Sequence, residues 1–217
     1  MQWKPSCSIE ILKRRAALIQ RIRAFFSERK YLEVETPLLA PHTVTDHHIE
    51  SIPCQIAQKN KPYYLQTSPE YCMKRLLAAG SGPIFQICKA FRQEEQGRQH
   101  HHEFTLLEWY RPGYTHIELM QEVGLLLSAV IDTPAAEYVT YQDIFHKHLH
   151  INPHTIATND LQTIIQQRDL YHQATELDHD TCLQLLMSEA IEPHLGYQQH
   201  CIVYHYPASQ AALAKIN

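Results

Sequence analysis

The densest chemistry in the chain lies between two apolar-rich segments, Pro83–Phe91 and Glu103–Tyr110. Phe91-Arg92-Gln93-Glu94-Glu95 leaves the first segment, Arg98 and His100 follow, and Glu103-Phe104 enters the second. An arginine offers a planar fork to phosphate oxygens, a carboxylate accepts from an exocyclic amine, and an aromatic face stacks a base. Together these side chains describe a cradle for ATP built without glycine. The same residues also fit a solvated connection with charged flanks, and residue types alone leave both readings open. At 11 residues, Arg92 to His102, the connection is too long for a tight hairpin.

The elements that must position these residues are legible in the pattern. Ser8 caps a stripe at Leu12, Ala16, Ile19, Ile22 and Phe26 that has helical spacing over about 20 residues. Leu32-Glu33-Val34-Glu35-Thr36 alternates as a strand until Pro37, which cannot donate to a ladder. Tyr63–Thr67 reads as a short strand, and Ser68-Pro69-Glu70 has the cap, proline and early-acid order of a helix start, continuing to Gly80. Thr115 caps a helix ending before Pro134, further helices are expected at 141–148, 159–168 and 178–191, and 201–206 is a last strand. Strands and helices mix without regular βαβ alternation, which predicts an α+β fold with a largely antiparallel sheet flanked by helices.

Composition narrows the classes further. The chain has 217 residues, 44% hydrophobic and 19% charged, and suits one domain with a real core. A net charge of −4 gives no basic field for DNA or RNA. No apolar run approaches the roughly 18 residues of a membrane span, so a cytoplasmic protein without membrane partners is expected. Its six glycines form neither GxGxxG nor GxxxxGK[ST], which excludes Rossmann and P-loop nucleotide sites. Sixteen histidines, clumped at His47-His48 and His100-His101-His102, raise a metal hypothesis. Adjacent histidines point in different directions and cannot all bind one zinc ion, so no metal site is assigned. The six cysteines include no CxxC pair and read as reduced thiols, Cys72 and Cys88 as packed ones.

In its motifs the chain resembles the class II aminoacyl-tRNA synthetases. Leu32-Glu-Val-Glu-Thr-Pro37 is similar to their motif 1, and Phe91-Arg92-x-Glu94 with the second strand's Phe104 is similar to motif 2. Thr67-Ser-Pro-Glu70 stands where the lysine branch carries it. Within that branch, Phe91–Arg98, Glu103–Pro112 and Tyr204-His-Tyr-Pro-Ala-Ser-Gln-Ala211 most resemble the elongation factor P–(R)-β-lysine ligase family, paralogues of lysyl-tRNA synthetase. The likeness runs over essentially the whole chain, read as a single catalytic domain with motif 1 at about 28–41 and motif 2 at about 84–111.

The resemblance implies roles residue by residue. Arg92 would hold the ATP α-phosphate as the catalytic residue, with Gln93 beside it; Glu94 would contact the adenine amino group and Phe104 stack the ring. Arg98, His100 and His101 would serve the rest of the nucleotide, with Mg²⁺ expected alongside ATP. Ser68, Pro69, Glu70 and Tyr110 would line the amino-acid pocket; Glu108, in alternation with Tyr110, would face either that pocket or solvent. A lysine-type amino acid would pass through an adenylate to a lysine side chain of elongation factor P, with tRNA not the acceptor. Pro37 and the first helix would build a homodimer interface. Two alternatives stay open: a catalytic fragment of a lysine–tRNA ligase, disfavoured because only about eight residues precede the first helix, and a non-catalytic binding module.

Two departures from the family pattern carry expectations. His101 and His102 replace the usual Asn-Pro, removing a proline restraint from the loop, so ATP binding should be weaker and more pH-sensitive. His101→Asn should therefore tighten ATP binding in a direct titration. The chain also ends at Ala212–Asn217 before any motif 3, and the resemblance implies on the order of a hundred further residues, with the acidic groups that bind metal. The expectation is a polypeptide matching the N-terminal two-thirds of the family.

Overall fold

The computed structural model describes residues 3–46, 49–57, 61–93, 97, 100–211 and 215–216. The chain divides into two compact units, Met1–Leu119 and Met120–Asn217. Each has its own elements and core.

The first unit opens with α1 (Ile9–Glu28), capped as its sequence predicts: Ser8 Oγ accepts from the Ile11 amide at 3.3 Å. Only Phe25 and Phe26 of α1 are buried, so the expected stripe covers the core solely at its C-terminal end. There Phe26 is stacked on Phe85, ring centroids 4.6 Å apart, and meets Tyr31 and Trp109 at 5.0 and 5.4 Å. Truncating Phe26 to alanine removes the centre of this cluster and should cost about 3–5 kcal/mol in urea unfolding.

Three short strands follow, β1 (Leu32–Glu33), β2 (Leu39–Ala40) and β3 (Pro53–Cys54), then β4 (Tyr63–Leu65), α2 (Glu70–Ala78), β5 (Ile84–Phe91) and β6 (Glu103–Tyr110). β1, β5 and β6 form one sheet, with β1 parallel to β5 and β5 antiparallel to β6; β2, β4 and β3 form a second, antiparallel sheet. The expected 32–36 strand is thus only two residues long. The Val34 amide still donates to the Phe85 carbonyl at 2.9 Å, but further on Thr36 turns its hydroxyl onto the Gln86 side chain and Pro37 supplies no N–H. Two residues past the end of α2 stands Gly80, whose φ of +87° is open to glycine at little cost.

α3 (His116–Ile131) starts with a capping box: the Thr115 amide and hydroxyl both donate to Glu118 Oε2, at 2.7 and 2.9 Å. The second unit then holds β7 (Glu137–Thr140), α4 (Tyr141–Leu149), α5 (Thr158–Gln167), α6 (His179–Leu186) and β8 (Cys201–Tyr204). β7 pairs in parallel with β8, a pairing the sequence did not announce because β7 sits immediately after a Pro-Ala-Ala stretch and is half exposed. Its core joins Tyr141, Ile144 and Phe145 of α4 to Leu161 and Ile165 of α5 and Leu183 and Leu186 of α6. The helix expected to run unbroken to 191 changes at Met187–Ile191 into a π-turn. Among the described residues the pairings are mixed, with antiparallel pairs dominating the first unit, so the fold is α+β as the pattern predicts.

Candidate active site

Antiparallel register decides which side chains of β5 and β6 share a face. Phe85, Ile87, Lys89 and Phe91 stand opposite Trp109, Leu107, Thr105 and Glu103. This face carries the Phe26 stack, and Arg15 of α1 reaches across it to the Thr105 hydroxyl at 2.9 Å. The other face pairs Ile84 with Tyr110, Gln86 with Glu108, Cys88 with Leu106 and Ala90 with Phe104. Arg92 extends the ladder by one pair, its amide donating to the His102 carbonyl at 3.0 Å. One face packs on α1, and the opposite face collects the residues that the sequence singles out.

At one end of that face the Arg92 guanidinium lies over the Phe104 ring, 5.1 Å from its centroid. Both side chains are half-buried. The ring expected to stack a base therefore already carries a cation on one face, and a base would take the remaining face or displace the guanidinium toward the phosphates. Gln93 is exposed, and its amide donates to the Glu50 carbonyl at 3.0 Å. His100 and His101 are exposed as well. Glu94 and Arg98, expected to serve adenine and the outer phosphates, lie outside the described residues, as do His47 and His48.

The other end gathers carboxylates. Tyr110 donates to Glu108 Oε1 at 2.6 Å, so Glu108 faces the same side as Tyr110 rather than open solvent, settling the alternative that alternation left open. Burial pushes the Glu108 carboxyl above its usual range, hydrogen bonds from Tyr110 and Ser68 pull it back, and Glu70 pushes it up again. Burial, then the bond to Glu108, drives the Tyr110 hydroxyl far up, so it stays protonated and acts as a donor. From α2, Glu70 accepts from Lys74 at 2.6 Å, a bond that raises the Lys74 ammonium. Ser68 Oγ accepts from the Glu70 amide at 3.2 Å, but the helix begins one residue later than the expected cap implies: buried Pro69 is itself the N-cap and no side chain caps α2. Once Glu108 is ionised, two carboxylates and one ammonium leave this end one negative charge in excess.

The structure thus brings Arg92 and Phe104 together at one end and Ser68, Glu70 and Tyr110 together at the other. Six residues of β6 separate Phe104 from Tyr110, roughly 20 Å at strand rise, the order of an extended aminoacyl-adenylate. Lys74 and Gln86 join the face unannounced. Lys74 was readable as an i,i+4 partner of Glu70, whereas a lone glutamine in an apolar strand carries no sequence signal. Among the described residues no three His, Cys, Asp or Glu side chains gather to hold a metal ion. The described residues alone supply no ready-made cage of that kind for Mg²⁺. A cavity in the second unit, lined by Tyr141, Gln184, Met187, Glu192, Tyr206 and Gln210, contains none of the expected site residues.

Comparison with known proteins identifies the family. The sequence model of the family described as tRNA synthetases class II (D, K and N) matches residues 2–216. A protein of Enterobacter sp. (strain 638) named elongation factor P–(R)-β-lysine ligase is 48% identical over 220 residues, covering 99% of this chain and 68% of that protein. A protein of the same name from Sodalis glossinidius (strain morsitans) is 49% identical over 222 residues, with the same coverage of each chain. Another, from Salmonella gallinarum (strain 287/91 / NCTC 13346), is 48% identical over 220 residues, again covering 99% of this chain and 68% of its own.

Proposed function

The chain belongs to the class II tRNA synthetase (D, K and N) family, and from that premise we propose that it activates (R)-β-lysine with ATP and transfers the acyl group to a lysine of elongation factor P. The observation that carries the reading is the single face of β5 and β6, with Arg92 and Phe104 at one end and a net-negative cluster of Glu70, Glu108 and Tyr110 at the other. ATP takes the first end and a doubly ammonium-bearing amino acid the second.

In the first step the amino-acid carboxylate attacks the α-phosphorus of ATP, forming a P–O bond. The bond from that phosphorus to the bridging oxygen breaks, and pyrophosphate leaves with the electron pair. The chemistry asks the protein for positioning and charge stabilisation rather than for a nucleophile. Arg92 supplies a delocalised cation that follows the charge building on the α-phosphoryl oxygens, as the catalytic residue. Phe104 stacks the adenine; Gln93, Glu94, Arg98, His100 and His101 serve the rest of the nucleotide. At the other end Ser68 and Pro69 fix the backbone that presents Glu70, and Glu70 and Glu108 receive ammonium groups, with Tyr110 orienting Glu108. Lys74 holds Glu70 until an ammonium of the substrate competes for the same oxygen. In the second step a neutral acceptor amine attacks the acyl carbon; an amide bond forms, AMP leaves, and one proton is released.

Both units belong to this one catalytic domain of residues 1–217, a reading supported by the family match over 2–216. Ile9, Ile11, Leu12 and Leu18 are exposed on α1, and with Pro37 they form the face proposed for a two-fold dimer; a cytoplasmic location is part of the same proposal. No helix among the described residues is long and apolar enough to cross a membrane. The test is incubation of the chain with elongation factor P, ATP and (R)-β-lysine, followed by intact-mass analysis. A gain of one lysyl group on one lysine of elongation factor P is expected; acylation of tRNA instead would favour the lysine–tRNA ligase reading and overturn this one.

A further inference from the structure

Gln86 is the anomaly of the catalytic sheet. It is 1% exposed, in a strand whose neighbours Ile84, Phe85 and Ala90 are equally buried. A buried amide needs partners for both its ends. Thr36 donates its hydroxyl to Gln86 Oε1 at 3.1 Å, and Thr36 is itself 6% exposed. With that bond made, the carbonyl end of the amide is held by the segment following β1. Gln86 Nε2, by contrast, finds no oxygen or nitrogen acceptor; its one polar neighbour is the weakly accepting Cys88 sulfur, two residues along the same strand. Leaving a buried donor unmade costs about 1–3 kcal/mol, so its retention calls for a reason.

The register supplies one. Gln86 stands directly opposite Glu108, on the same face, where cross-strand side chains are within mutual reach. We infer that Gln86 is a positioning residue for the amino-acid pocket: anchored through Thr36, its Nε2 donates to the Glu108 carboxylate when that group ionises to receive the substrate ammonium. This rests on the reading of Glu108 as an ammonium acceptor. It adds that the segment carrying Thr36, outside the pocket, sets how well that carboxylate holds its charge. An amide donor is suited to the task. It stabilises the anion without adding a full charge that would cancel attraction for an ammonium group, as a lysine or arginine in its place would.

The groups that face Glu108 from each side are Tyr110 on its own strand, the Cys88 thiol on β5, and Glu70 and Lys74 on α2. None of them changes in the variants chosen. Gln86→Leu removes the donor and keeps an apolar filler, Thr36→Val removes the anchor alone, and Thr36→Ser keeps the hydroxyl. The readout is the titration of the Glu108 side-chain carbon by NMR in the full chain with ¹³C-labelled glutamate, assigned by its loss in Glu108→Gln. Gln86→Leu should move the Glu108 midpoint upward by about one pH unit, Thr36→Val should move it in the same direction by less, and Thr36→Ser should leave it in place. In exchange kinetics Gln86→Leu should raise KM for the amino acid roughly tenfold with kcat and KM for ATP held, a split that a merely structural strut would not give.

Should Gln86→Leu fail to fold, Thr36→Val still decides the matter. Folded variants whose Glu108 midpoint coincides with the wild type would overturn the inference. A midpoint that moves as expected in a protein that binds no lysine-type amino acid would instead leave the positioning intact and sink the proposed activity.

Discussion

Replacing Arg92 with alanine is expected to lower the rate of adenylate formation by about three orders of magnitude while the protein remains folded. The reasoning starts from the reaction, which builds negative charge on the α-phosphoryl oxygens with no covalent help from the enzyme. Arg92 ends the face shared by β5 and β6, half-buried, with its guanidinium held over Phe104. A cation already placed and partly desolvated stabilises that charge without reorganising. Arg92→Lys should recover little, because an ammonium is a point charge that cannot present the planar fork and does not stack on the ring in the same way. KM for the amino acid should be unchanged in both variants, since Glu70, Glu108 and Tyr110 lie at the other end of the strands. Steady-state pyrophosphate exchange at saturating amino acid checks this. A variant with near wild-type kcat would remove Arg92 from the catalytic role.

Glu108→Gln is the second large effect, and its signature is a loss of amino-acid binding instead of rate. Removing one partner of a half-buried, hydrogen-bonded charge pair costs about 2–5 kcal/mol, so KM for the lysine-type amino acid should rise by about 30- to several thousand-fold with KM for ATP nearly unaffected. The pH dependence follows from the direction of the shift. Burial raises the Glu108 carboxyl above its ordinary range, so the group is still protonated at pH values where a free glutamate is charged. Because only the ionised form attracts an ammonium, affinity should climb as pH rises through this elevated midpoint, and that limb should vanish in Glu108→Gln. For the unliganded protein the sign is opposite: a raised carboxyl contributes stability below its unfolded pKa that is lost as pH rises through the folded one. Amino-acid binding by calorimetry across pH, with thermal unfolding alongside, separates the two. An affinity that falls with rising pH in the acid range would contradict the assignment.

Much of this arrangement was legible in the residues before the fold was known. Spacing and caps place α1, α2 and α3, and the bounds of β6 follow from its apolar alternation and charged flank. Arg92, Phe104, Glu70 and Tyr110 were marked by type and order; the sheet register puts Phe104 and Tyr110 on one face, Arg92 follows one pair beyond, and Glu70 comes from α2. What stayed hidden was tertiary. β1 is cut to two residues, and Thr36 beyond it turns its hydroxyl to a buried partner 50 residues away that no local pattern announces. The stripe on α1 predicts burial along its length, yet only its last turns meet aromatic partners. Glu108 was ambiguous for a similar reason, since alternation gives a face but only the Tyr110 bond shows that the carboxylate turns to its neighbour rather than to open solvent.

Amino-acid-dependent ATP–pyrophosphate exchange by the 217-residue chain, with (R)-β-lysine and L-lysine offered separately, tests the central claim most directly. The account predicts exchange that requires a lysine-type amino acid, prefers (R)-β-lysine, and is lost in Arg92→Ala. No exchange with either amino acid, from a chain shown to be folded, would contradict it and leave the face of β5 and β6 as a binding surface without the reaction.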